Sequence, residues 1–96
     1  MQRELIIQEL RTELPKLQKE FGVKSIGLFG SYARKDETEE SDLDFLVEIT
    51  PPLTKNYFGL LSFLEQKFST KVDLVTTGKH LSERFLKQVE SEIIYA

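Results

Sequence analysis

An α/β or α+β domain of two layers is the fold class this sequence predicts, and three observations predict it. Short apolar or alternating runs at 23–29, 42–49 and 72–76 have the length and composition of strands. Around them, stretches at 2–13, 56–68 and 82–90 repeat apolar residues at helical spacing. The 96 residues suffice for one modest core, and no linker, repeat or low-complexity run divides them, so residues 1–96 read as a single domain.

The elements follow in chain order. Leu5, Ile6 and Leu10 share one helical face, with charged residues largely on the others. Pro15 costs about 3 kcal/mol inside a helix, so a stop near Leu14 or a fresh start at Pro15 is expected. Leu17 and Phe21 continue the apolar face, and Gly22 should end it as a left-handed cap. The first strand, Val23 to Phe29, is apolar or small on both faces towards its end, which suggests burial on both sides. Gly30 stops it, and Ser31 to Arg34 reads as one helical turn with Ser31 near the N-cap. The second strand, Asp42 to Ile49, sets Leu43, Phe45 and Val47 on one side and Asp44, Leu46 and Glu48 on the other. Pro51-Pro52 ends it. Its link to the first strand is short for a crossover, so the two should be antiparallel. Tyr57, Leu60, Leu61, Leu64 and Phe68 form the core stripe of the next helix. Val72 to Thr76 is a third strand, Ser82 caps a last helix that buries Phe85, Leu86 and Val89, and Ile93-Ile94-Tyr95 is either a fourth strand or a tail that a partner covers.

Composition narrows the chemistry. With no cysteine and one histidine, disulfides and thiolate sites are excluded and a zinc site is disfavoured. No apolar run approaches the roughly 20 residues that span a bilayer, and the N-terminus lacks a signal-peptide pattern, so a cytoplasmic protein without membrane contact is expected. A net charge of −3 argues against sequence-independent binding to DNA or RNA, which needs basic surface. The acidity is concentrated between Asp36 and Asp44. Asp36 to Glu40 read as a solvated loop. Asp42 and Asp44 do not, because they lie within an apolar alternating run. On a strand they share a face, about 7 Å apart along the chain. Side by side they repel unless a cation lies between them, and a hard divalent metal suits their oxygens. Gly30-Ser31 is a turn whose backbone N–H groups could meet an anion. Competing motifs fail: Gly22 and Gly27 have phosphate-loop spacing without the following Lys-Ser/Thr, and Asp42-x-Asp44 lacks the glycine and later oxygens of a calcium loop.

Gly30-Ser31, ten further residues and then Asp42-x-Asp44 resemble the signature of the polymerase-beta-like nucleotidyltransferase superfamily. The wording Leu28-Phe29-Gly30-Ser31-Tyr32-Ala33-Arg34 is similar to that of its minimal nucleotidyltransferase branch, with Lys35 where many relatives have glycine. The resemblance spans roughly Val23 to Val75. It implies a small mixed sheet of three to four strands with helices packed on one side. It implies magnesium-dependent transfer of a nucleoside monophosphate, AMP from ATP foremost, to a hydroxyl. The leading acceptor is a tyrosine on a partner HEPN-domain toxin, with this chain as the antitoxin.

By that resemblance Asp42 and Asp44 hold two magnesium ions, and Gly30 and Ser31 bind the triphosphate. Two ions carry four positive charges, so a third carboxylate is expected, and Asp73, framed by Val72 and Leu74, is the candidate. Arg34 either reaches a phosphate oxygen or is a surface cation beside the acidic loop. His80 reads as solvated. A chain this short has no room for a second helical domain, which a partner or a homodimer would have to replace. Two other classes of function stay open: a non-catalytic module that neutralises a partner by covering it, and a small-molecule modifier such as an antibiotic nucleotidyltransferase.

Overall fold

The computed structural model describes residues 1–96. Helix α1 (Arg3–Phe21) leads into β1 (Val23–Phe29), the single turn α2 (Ser31–Arg34) and β2 (Leu43–Ile49). Helix α3 (Leu53–Phe68), β3 (Val72–Thr76), α4 (Glu83–Glu90) and β4 (Ile94–Tyr95) complete the chain. The strands form one mixed sheet in the order β3-β2-β1-β4. β1 is antiparallel to β2, as the short link after Phe29 requires, and also to β4. β3 is parallel to β2, because α3 carries the chain back across the sheet between them.

Alternation along the strands sorts the two faces. Leu28, Leu43, Phe45, Val47, Val72 and Leu74 point to one side and join Ile6, Leu10, Leu17, Leu60 and Leu64 in the main core. Helices α1 and α3 cover this side, and the stripe Leu60, Leu64 and Phe68 is buried there. Phe29 and Leu46 point to the other side, where they pack with Val89 in a smaller cluster. Helix α4 covers only part of that second face, and Phe85 sets its ring edge-on to Phe29 at 5.7 Å. The periodicity of α4 marks its apolar side without telling which face of the sheet that side meets. Its capping serine is as expected: Phe85 N–H donates to Ser82 Oγ at 3.1 Å.

The expected break at Pro15 does not occur. Helix α1 runs unbroken through it for 19 residues. Pro15 lies on the exposed side, so the Arg11 carbonyl it leaves unpaired can be met by water. Buried Ile6, Ile7, Leu10 and Leu17 flank it along the helix. At about 1.5–3 kcal/mol for each fully buried aliphatic side chain, they outweigh one proline. Gly22 ends α1 in the left-handed region at φ 64°, its N–H donating to the Leu17 carbonyl. Ile94 and Tyr95 form the edge strand β4, so the C-terminal apolar run is a strand of this sheet. No helix is long and apolar enough to cross a membrane.

Candidate active site

Burial of Leu43 and Phe45 in the main core turns Asp44 out on the opposite face of β2. The same logic acts on Asp73, set between buried Val72 and Leu74 on β3. Parallel register places Asp44 directly beside Asp73, on strands that run about 4.8 Å apart. The negative charge of Asp73 acts on the Asp44 carboxyl. Asp42 precedes β2 and acts on Asp44 through its charge. The three acids are not gathered into one compact group of metal ligands. The structure thus joins Asp44 to Asp73 and leaves Asp42 at the margin of the pair.

The pair is under electrostatic stress. The Asp44 carboxyl is pushed up to about 6, first by burial, then by the negative charges of Asp73 and Asp42. The Arg34 guanidinium works in the other direction without cancelling the effect. Tyr57 of α3 secures the strand beneath: its hydroxyl donates to the Leu74 carbonyl at 2.7 Å.

The turn after β1 abuts this pair, because Phe29 lies opposite Asp44 in the antiparallel ladder. Gly30 has φ 78°, and a Cβ there would collide with the Asp44 carboxylate. Glycine is needed at this position on both counts. Helix α2 has the expected bounds, with Gly30 at the N-cap position and Ser31 as the first helical residue. Arg34 is engaged: its Nε meets Asp36 Oδ2 at 3.1 Å and its Nη1 meets Glu92 Oε2 at 3.0 Å. Asp36 to Glu40 are exposed, as a solvated loop should be.

A cavity of about 270 Å³ opens here, lined among others by Gly30, Ser31, Arg34, Asp44, Gln88 and Glu92. Sequence reasoning misses the α4 side of that cavity. Glu92 accepts the Gly30 N–H and pairs with Arg34 although 62 and 58 residues separate them, and no local pattern marks it. A larger cavity of about 460 Å³ lies at the other end of the sheet, between Ile49, Tyr57, Phe58 and Thr76. It holds no acid. His80, exposed as expected, lies on its rim.

A small mixed sheet that carries adjoining carboxylates on two neighbouring strands, beside a glycine turn at the same end, is the architecture of a nucleotidyl-transferring domain. The nucleotidyltransferase domain family matches residues 7–96, and the chain belongs to that family. A protein adenylyltransferase of Thermococcus cleftensis, MntA, is 37% identical over 97 residues, covering 95% of this chain and 96% of that protein. A solved structure provisionally assigned as a minimal nucleotidyltransferase superposes with a TM-score of 0.77 at 30% identity, over 98% of this chain and 95% of the other. A chain in a toxin–antitoxin structure with AMP-PNP aligns with a TM-score of 0.67 at 25% identity, over 88% of this chain and 69% of its own.

Proposed function

We propose that this chain is a protein adenylyltransferase that moves AMP from ATP onto a tyrosine hydroxyl of a HEPN-domain toxin, and so acts as an antitoxin in the cytoplasm. Its 96 residues serve as one minimal nucleotidyltransferase domain. One observation carries the reading: Asp44 lies beside Asp73 in the sheet and against the Gly30 turn. Nucleotidyltransferase membership supports the reaction class, and the similarity to an adenylyltransferase supports AMP as the group moved.

The residues suit a magnesium site. The donors are all carboxylate oxygens, and Asp44 is held near 6 by burial and by neighbouring negative charge that a divalent cation would neutralise. Asp42, Asp44 and Asp73 would hold the metal. A magnesium ion takes one or two carboxylates and fills its other positions with phosphate oxygens and water, so the acids need no tight cluster in advance. When bound, it supplies positive charge for the triphosphate and lowers the pKa of the acceptor hydroxyl.

The chain's own groups do the rest. The Gly30 N–H and the Ser31 hydroxyl face the β- and γ-phosphates, and Arg34 offers its guanidinium to a phosphate oxygen. This fixes the α-phosphorus for in-line attack. The tyrosine oxygen bonds to the α-phosphorus, the bond to the bridging oxygen of the β-phosphate breaks, and pyrophosphate leaves. The hydroxyl proton passes towards the Asp73 carboxylate.

Incubation with α-labelled ATP, magnesium and a candidate HEPN-domain toxin tests the reading. Label should appear on the toxin with wild-type protein and fall at least about 100-fold with Asp42→Asn or Asp44→Asn, the scale of losing a transition-state contact. A toxin inhibited but never labelled would mean neutralisation by contact. Label on an aminoglycoside and on no protein would mean a small-molecule modifier.

A further inference from the structure

The phosphate seat is not open. The Gly30 N–H donates to Glu92 Oε2. Arg34 Nη1 grips the same carboxylate, at 3.2 Å from Oε1 and 3.0 Å from Oε2. The Glu92 side chain is only 9% exposed, whereas that of Arg34 is 42% exposed. An acid drawn this far from water needs strong partners, and it has taken two donors at the turn. A carboxylate is a near match for a phosphate oxygen pair in charge and in acceptor geometry. A backbone N–H at a left-handed glycine and a guanidinium are the donors a triphosphate would seek.

We propose that Glu92 is a built-in anion that occupies the phosphate seat and competes with the triphosphate for the Gly30 N–H and Arg34. This inference rests on the nucleotide reading above. Two negative groups cannot share these donors beside Asp44, so nucleotide entry must expel Glu92. Its position ties that event to the end of the chain. Glu92 lies between α4 and β4, where the Glu92 and Ile93 N–H groups both donate to the Val89 carbonyl. Ile94 and Tyr95, just beyond, pair with Leu28 and Gly27 of β1. Displacing the carboxylate therefore pulls on the edge strand. The consequence is a weakened affinity for ATP in the free protein and a C-terminal segment that responds when the seat is filled.

Calorimetric titration of ATP and of inorganic tripolyphosphate, both with magnesium, into wild type, Glu92→Gln and Glu92→Ala tests this. Glu92→Gln keeps the shape of the side chain and guards against a folding defect in the alanine variant. Glu90→Gln, an exposed acid on α4, controls for the loss of one negative charge. Both Glu92 variants should bind both ligands about tenfold more tightly or better, as loss of a charge-assisted competitor implies, and Glu90→Gln should stay within about twofold of wild type. In wild type, the Gly30 amide resonance should move on adding tripolyphosphate, and those of Ile94 and Tyr95 should move with it. Wild-type binding that the Glu92 variants leave unchanged or weaken would overturn the inference alone, making Glu92 a support for Arg34. Folded proteins that all fail to bind either ligand would overturn the nucleotide reading and this inference together.

Discussion

Asp44 is the residue on which the chemistry and the stability of this chain pull in opposite directions. Its folded pKa of about 6 stands above the ordinary 3.8, so the fold holds a proton that the unfolded chain releases. The stabilisation from that proton is complete below about pH 4 and is lost as pH rises through about 6. At neutral pH the ionised Asp44 is therefore a burden on the ligand-free fold. Asp44→Asn should raise urea-unfolding stability at about pH 7.5 by about 1–2 kcal/mol, allowing for screening at a half-exposed site, with no gain at about pH 3.5. An equal effect at both pH values would rule out an electrostatic cause. The candidate acids are legible at this scale because strand alternation is local: buried Leu43 and Phe45 imply an outward Asp44, and Val72 and Leu74 imply an outward Asp73. Glu92 is not legible. Its partners Gly30 and Arg34 meet it only after α4 has folded back over the second face of the sheet.

Among the elements, β1 and β3 have the bounds their apolar runs suggest, and Gly22 caps α1 as its position implies. Helix α3 starts three residues earlier than expected, at Leu53, because Leu53 and Thr54 are exposed and carry no periodic signal. Pro15 misleads for a different reason. Local propensity says stop, but the buried face on both sides of it says continue, and tertiary burial outweighs propensity. The proline should still weigh on α1. Pro15→Ala should restore the hydrogen bond to the Arg11 carbonyl and raise stability by about 1–2 kcal/mol, after the looser unfolded chain takes back part of the gain. Thermal unfolding checks it, and a lower melting temperature would mean that the ring makes a contact the exposed position does not suggest.

At the scale of the whole molecule, the helical layer over one face of the sheet is what leaves the other face free for chemistry. Helices α1 and α3 seal the first face. Helix α4 shields only part of the second, so Asp44 lines an open cavity at the end where β1 stops and β2 and β3 begin, with Asp73 its neighbour in the sheet. The partial cover matches a site that must admit both a nucleotide and a large acceptor. Volume alone would point to the larger cavity by His80, but its lining has no carboxylate to neutralise a metal. Strand order and the placing of α4 are beyond sequence reading, since both depend on which faces remain exposed once the first core has closed. The proposed chemistry requires that the adjoining carboxylates and the glycine turn form a single seat for metal and triphosphate. Titrating paramagnetic manganese with ATP while following backbone amide resonances tests it most directly. Gly30, Ser31, Asp44 and Asp73 should broaden first and together, in a saturable way that Asp44→Asn abolishes; broadening confined to the solvated loop from Asp36 to Glu40, or centred on the cavity by His80, would contradict it.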